Sequence, residues 1–123
     1  MSVSAACMAA AGLSLSFLPQ ELLQLTGSPA VLPLVLLAQA CGALLLAFAM
    51  LNWMARANLI GGIYSRPVAV ANFLHFGVVA TALAKATLAL GGPALWAVTA
   101  VYAGFAAAFG TVVFTHPLKS GRG

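Results

Sequence analysis

The chain has 123 residues, 63% hydrophobic and only 5% charged, with a formal charge of +4 and a mean hydropathy of +1.10. Soluble domains carry roughly 25% charged residues, and five cations with one acid cannot clothe a water-facing surface, so a soluble globule is excluded. The cations Arg56, Arg66, Lys85, Lys119 and Arg122 sit toward the ends of apolar runs with no interleaved stacking aromatics; that is a membrane-topology pattern, and nucleic-acid binding is excluded with it.

A membrane helix needs about 20 mostly apolar residues. The first apolar run, 3–18, is short and ends at Pro19; without a basic amino-terminal flank it reads as a first span rather than a cleaved signal. Pro19-Gln20-Glu21 is a helix start, with proline in the first turn and an acid at the positive dipole end, and Gly27 is a stop. Residues 19–26 are therefore expected as a short interfacial helix, with Leu22, Leu23 and Leu25 against lipid or the bundle. The second span, 30–54, is interrupted only by Pro33, Gln39 and Asn52; the third, 67–90, carries Asn72, His75 and Lys85. Gly91-Gly92-Pro93 is a tight turn into the fourth, 94–115, which makes the last two spans antiparallel neighbours.

The short loops orient the chain. Arg56 and Arg66 flank the loop after span two, and Lys119 and Arg122 lie in the tail, whereas the other two loops hold only Glu21 or no charge. The positive-inside rule then places both termini and the 57–66 loop in the cytoplasm. Trp53 and Trp96 fall at opposite interfaces, as aromatic belts require. On this topology Cys7 lies near the cytoplasmic end of span one, while Cys41 is about 22 Å deep by helical rise, so the two cannot form a disulfide within one chain. Both are expected as small buried hydrophobes.

Burial alone does not associate helices in lipid; close contact between small residues does. Ala38/Gly42, Ala43/Ala47, Ala80/Ala84, Ala82/Ala86, Ala103/Ala107 and Ala106/Gly110 all have the small-xxx-small spacing. They predict a tight bundle without separating contacts inside one chain from contacts between chains.

Most of the strong polar groups gather in one stretch: Asn52 and Arg56, then Tyr64 and Arg66, then Asn72 and His75. Asn52 lies about 6 Å inside Arg56 by helical rise, and Asn72 lies at a similar depth inside Pro67. Thr111 on span four falls near that level, and His75 is one turn deeper. The expected result is a cytoplasmic-side polar layer roofed by Arg56, Tyr64 and Arg66. It has two readings. Asparagine and histidine can act as interhelical glue, at about 0.6 kcal/mol per bond, with the arginines as topology anchors. Alternatively Asn52, Arg56, Tyr64, Arg66, Asn72 and His75 form a pocket for a lipid-like or anionic ligand, with cations and a phenol at headgroup level. The 57–64 loop is apolar, and Gly61-Gly62 fits either a lid or a plain tight turn. On the outer side, Glu21 and Lys85 are candidates for an ion pair, against simple snorkelling of Lys85 to the interface.

Catalytic constellations are thin. Glu21 is the sole acid, so no carboxylate pair and no Ser/His/Asp set exist, and no CxxC or Cys/His metal spacing occurs. A haem between His75 and His116 is disfavoured because His116 lies a turn or two shallower. No catalytic residue, metal site or cofactor is assigned, and the balance is against an enzyme. A channel would need an oligomeric pore lined by Gln39 or the threonines. Small four-helix multidrug exporters carry a membrane-embedded glutamate in the first span, which this chain lacks.

The motifs Asn-Trp-Met-Ala-Arg (52–56), Gly-Gly-Ile-Tyr-Ser-Arg-Pro (61–67) and Asn-Phe-Leu-His-Phe (72–76) resemble those of small, uncharacterised bacterial four-helix membrane proteins similar to the DoxX-like group. The resemblance covers roughly residues 15–90 and implies a fold, not an activity. The sequence thus predicts a single-domain, all-α integral membrane four-helix bundle over residues 1–123, multi-pass in a bacterial inner membrane. Its expected partners are the lipid bilayer and copies of itself or a larger membrane complex. Its expected role is that of a structural or accessory subunit, with the amphiphile binder, carrier or enzyme as the alternative.

Overall fold

Proline and glycine set the helix boundaries. The computed structural model describes residues 1–57 and 65–115, apart from the Ser65 side chain. Among these, five helices and no strands occur: α1 (Ser2–Phe17), α2 (Pro19–Leu25), α3 (Leu32–Ala55), α4 (Ser65–Leu90) and α5 (Pro93–Phe114). Pro19, Pro33 and Pro93 each stand in the first two positions of their helices, where a missing N–H costs nothing. Pro33 explains why α3 starts at Leu32 rather than at residue 30. Gly27 (φ 73°) ends α2 in a Schellman motif: its N–H donates to the Gln24 carbonyl, and the Ser28 N–H donates to the Leu23 carbonyl.

The chain divides into two compact units, residues 1–57 and 58–123. In the first, α1 packs antiparallel on α3, and α2 closes the connection. Val35, Gly42, Leu45, Ala49 and Asn52 of α3 are buried at heptad spacing, facing Ser4, Ala5, Met8 and Gly12 of α1. Gly12 and Gly42 permit the close approach. A Cβ on Gly42 would stand 2.8 Å from the Ser16 nitrogen and 2.9 Å from the Gly12 oxygen, and one on Gly12 would stand 2.9 Å from the Gly42 oxygen.

In the second unit, α4 turns through Gly91 (φ 70°) and Gly92 (φ 105°) into α5, and the two helices pack antiparallel. Ala69, Asn72, Phe76 and Thr87 of α4 and Phe109 and Gly110 of α5 are buried. Of the small pairs, Gly42 and Gly110 are contact positions, whereas Ala43, Ala47, Ala82, Ala103 and Ala107 are exposed. Both cysteines are free and exposed, which corrects the expectation of burial. The physical reason is register: residues 7 and 41 fall between the heptad contact positions, on the outer faces of α1 and α3.

Helices α3, α4 and α5 are each long and apolar enough to cross a membrane, and only 22%, 22% and 17% of their most apolar windows are buried. Leu37, Leu44, Leu88 and Phe114 are among the large side chains on the outside. Helix α1, with 16 residues, is short of the roughly 20 that a crossing requires. With α2, from which it is bent by 98°, it makes a fourth candidate span.

Candidate functional site

The polar side chains singled out in the sequence fall into both units. In the first, Asn52 is fully buried. Its Nδ2 donates to Ser4 Oγ at 3.3 Å and contacts Met8 Sδ at 3.6 Å. Ser4 in turn donates to the Met1 carbonyl at 2.8 Å. One helical turn beyond Asn52, Arg56 lies flat on its neighbour: its Cζ is 3.6 Å from the Trp53 ring centroid, and its Nη1 donates to the Trp53 carbonyl at 2.7 Å. The i,i+3 spacing of α3's last turn makes this possible, and the indole face supplies the cation–π attraction. Both side chains remain exposed.

Beside them, α1 and α3 leave an apolar groove of about 300 Å³, lined by Ala5, Ala6, Ala9, Met50 and Trp53 among others. The alanines on α1 are too small to fill the space that α3's long side chains border. Farther along the same hairpin, Gln39 Nε2 reaches the Ser16 carbonyl at 3.5 Å, and Ser16 Oγ is buried without a hydrogen-bond partner among the described residues.

In the second unit, Asn72 is fully buried and its Nδ2 donates to the Val68 carbonyl at 2.8 Å, one turn back on α4. His75 is half-buried in an aromatic cluster, 5.2 Å from the Phe76 ring and 6.0 Å from Tyr102. Phe76 is its centre, stacked on Phe105 (4.9 Å) and Phe109 (5.7 Å) and edge-on to Tyr102 (5.3 Å). At the turn end, Thr87 and Thr99 hydroxyls meet at 2.8 Å. Arg66, in the first turn of α4, is exposed. Thr111 is exposed too, and its hydroxyl returns to the Ala108 carbonyl of its own helix.

The structure thus brings Asn52 to Ser4 and Met8, Arg56 to Trp53, and His75 to Phe76 and Tyr102. Tyr64, the Gly61-Gly62 turn or lid, and His116 lie outside the described residues. Glu21, in the first turn of α2, and Lys85, on α4, are both exposed and belong to different units. Among the described residues no group of three metal-ligating side chains occurs. The aromatic cluster and the Thr87–Thr99 contact are absent from the sequence reading, although Tyr102, Phe105 and Phe109 recur three and four residues apart, the spacing of one helix face.

Searches with this chain find no matching family model, no matching curated protein and no matching solved structure.

Proposed function

We propose that this protein is a four-span inner-membrane protein with both termini cytoplasmic, acting as a structural or accessory subunit of a membrane assembly. One observation carries the reading: each helical hairpin has a buried polar side chain that bonds across to its partner helix, and the broad outer faces are largely apolar. Asn52 bonds Ser4, and Thr87 meets Thr99; this is the use of polar groups as interhelical glue. Faces carrying small residues such as Ala43, Ala47, Ala103 and Ala107 suit contact with other helices, in copies of this chain or in a partner. The likeness to DoxX-like four-helix proteins belongs to the same proposal, as does an outer-side ion pair of Glu21 with Lys85.

The test is the mass of the particle extracted in mild detergent. A discrete oligomer, or a co-purifying membrane chain in fixed ratio, is expected. A monomer with no companion at every detergent concentration overturns the reading. Cytoplasmic activity of a reporter fused after residue 123, and periplasmic activity of one inserted after Gly27, check the topology.

A second reading, a binder of lipid-like or anionic molecules at Asn52, Arg56, Tyr64, Arg66, Asn72 and His75, is favoured by the Arg56–Trp53 stack. A cation held on an interfacial indole is ready for an anionic group at headgroup level.

A further inference from the structure

The groove between α1 and α3 is a different feature from that polar layer, and its chemistry is more specific. It is lined by alanines of both helices and by Leu46, Met50 and Trp53 of α3. Its volume, about 300 Å³, lies at the lower bound of ligand clefts, about 300–1,000 Å³. Leu46 and Trp53 both line it, so it runs about 10 Å along α3 by helical rise. Such a slot suits a slender, unbranched apolar occupant. The same Trp53 that lines the groove carries the Arg56 guanidinium on its face and bonds it through its carbonyl. The cation is therefore held against a residue that lines the groove, at the end of α3. A guanidinium is a planar fork of donors that matches phosphate oxygens. An apolar slot with a cation held on one of its lining aromatics is complementary to one molecule class: an acyl chain joined to a phosphate.

We propose that the α1–α3 groove is a binding site for one anionic phospholipid, with an acyl chain along Ala5, Ala6, Ala9 and Met50 and its headgroup phosphate on Arg56. Zwitterionic lipid fills the slot equally well but has its phosphate charge offset by its own ammonium, so selectivity comes from Arg56 and occupancy from the groove. The site shares only Arg56 with the polar layer, and it stands or falls apart from any assembly role.

The experiment is native mass spectrometry of the full chain released from nanodiscs of equal phosphatidylglycerol and phosphatidylcholine with matched acyl chains. Wild type is expected to retain one phosphatidylglycerol in preference to phosphatidylcholine, by about fivefold for a single basic residue at an anionic surface. Arg56→Gln is expected to remove the preference while leaving total retention near wild type. Ala6→Phe points a bulky ring from an exposed position into the groove and is expected to lower retention of both lipids severalfold. Arg66→Gln separates this site from the polar layer: the groove keeps its lipid, whereas a pocket roofed by Arg66 loses its ligand. Circular dichroism shows that each variant is folded. Equal retention of both lipids by wild type, or unchanged phosphatidylglycerol retention in both Arg56→Gln and Ala6→Phe, overturns the proposal. Glycerophosphoglycerol, the headgroup without chains, is expected not to compete; full competition by it also overturns the proposal.

Discussion

Thr87 and Thr99 face each other across the α4–α5 hairpin with their hydroxyl oxygens 2.8 Å apart. Each hydroxyl also lies 2.7 Å from a carbonyl one turn back, Leu83 for Thr87 and Leu95 for Thr99. Two hydroxyl protons serve three contacts, so when one threonine donates across the hairpin the other donates to its own helix. Threonine–carbonyl bonds within a helix satisfy a hydroxyl in lipid without any partner helix; the cross-hairpin contact is the added element.

The consequence is a coupling that a double-mutant cycle can read. Thr87→Val and Thr99→Val keep the shape and remove one hydroxyl each. Each is expected to cost about 0.6 kcal/mol, and no more than about 1.7. The double variant is expected to lose less than the sum, because the second substitution removes a group that has already lost its cross-helix partner. Unfolding in mixed micelles of rising dodecyl sulfate content measures this. Strictly additive losses would mean that the hydroxyls are satisfied separately by Leu83 and Leu95.

The Gly12–Gly42 crossing sets a second expectation. A methyl on Gly42 meets backbone atoms of α1, the Ser16 nitrogen at 2.8 Å and the Gly12 oxygen at 2.9 Å. Backbone cannot rotate aside as a side-chain tip can, so the helices must part. Gly42→Ala is expected to destabilise by about 1–3 kcal/mol, the range for overpacking. Gly77→Ala is the control: among the described residues nothing lies within 4 Å of its added Cβ, and the change should stay within about 0.5 kcal/mol. The same dodecyl sulfate titration compares them, and equal effects would show that α1 and α3 do not depend on this approach.

How far the sequence reached follows from the type of signal. Pro19, Gly27, Gly91 and Pro93 act on their own backbone, and the helix ends they announce lie within one or two residues of those observed. Apolar length is equally local, so α3, α4 and α5 were legible. Contact faces were not, because in a chain so rich in alanine the small-xxx-small spacing occurs on inner and outer faces alike; Gly42 is buried whereas Ala43 and Ala47 are exposed. The cysteines were misjudged for the same cause, since apolar surroundings in a membrane chain include lipid. At the site, depth placed Asn52 and Asn72 among the polar groups to watch; that Asn52 bonds Ser4 and Met8, and Asn72 the Val68 carbonyl, was not legible. Pairing of this kind depends on helix rotation, which periodicity leaves open.

The aromatic cluster should dominate the stability of the second hairpin. Phe76 is 2% exposed and meets the rings of His75, Tyr102, Phe105 and Phe109. In lipid the gain is packing rather than dehydration, yet a hole left by the ring forfeits its contacts on every side. Phe76→Ala is expected to cost about 3–5 kcal/mol. Phe114→Ala, at a position 75% exposed, should cost under about 1 kcal/mol. Heating the purified variants and following the loss of near-ultraviolet circular dichroism checks the contrast; similar midpoints would show that Phe76 does not organise the hairpin.

The role of Asn52 can be decided by replacing it with leucine. The substitution removes the donor to Ser4 Oγ and Met8 Sδ while keeping a side chain of comparable bulk. Ser4 is not orphaned by the change, because its own proton goes to the Met1 carbonyl. Met8 loses only a weak acceptor contact. The loss expected from these contacts is the value of an interhelical bond, about 0.6–1.7 kcal/mol, and Ser4→Ala should reproduce the smaller end of it. The dodecyl sulfate midpoints of the three proteins give the order wild type, Ser4→Ala, Asn52→Leu from most to least stable. If Asn52→Leu is instead the most stable, the asparagine is not there to hold α1 to α3. A buried amide kept against stability beside a fixed arginine would then argue for ligand contact at that end of the hairpin, and against the glue reading.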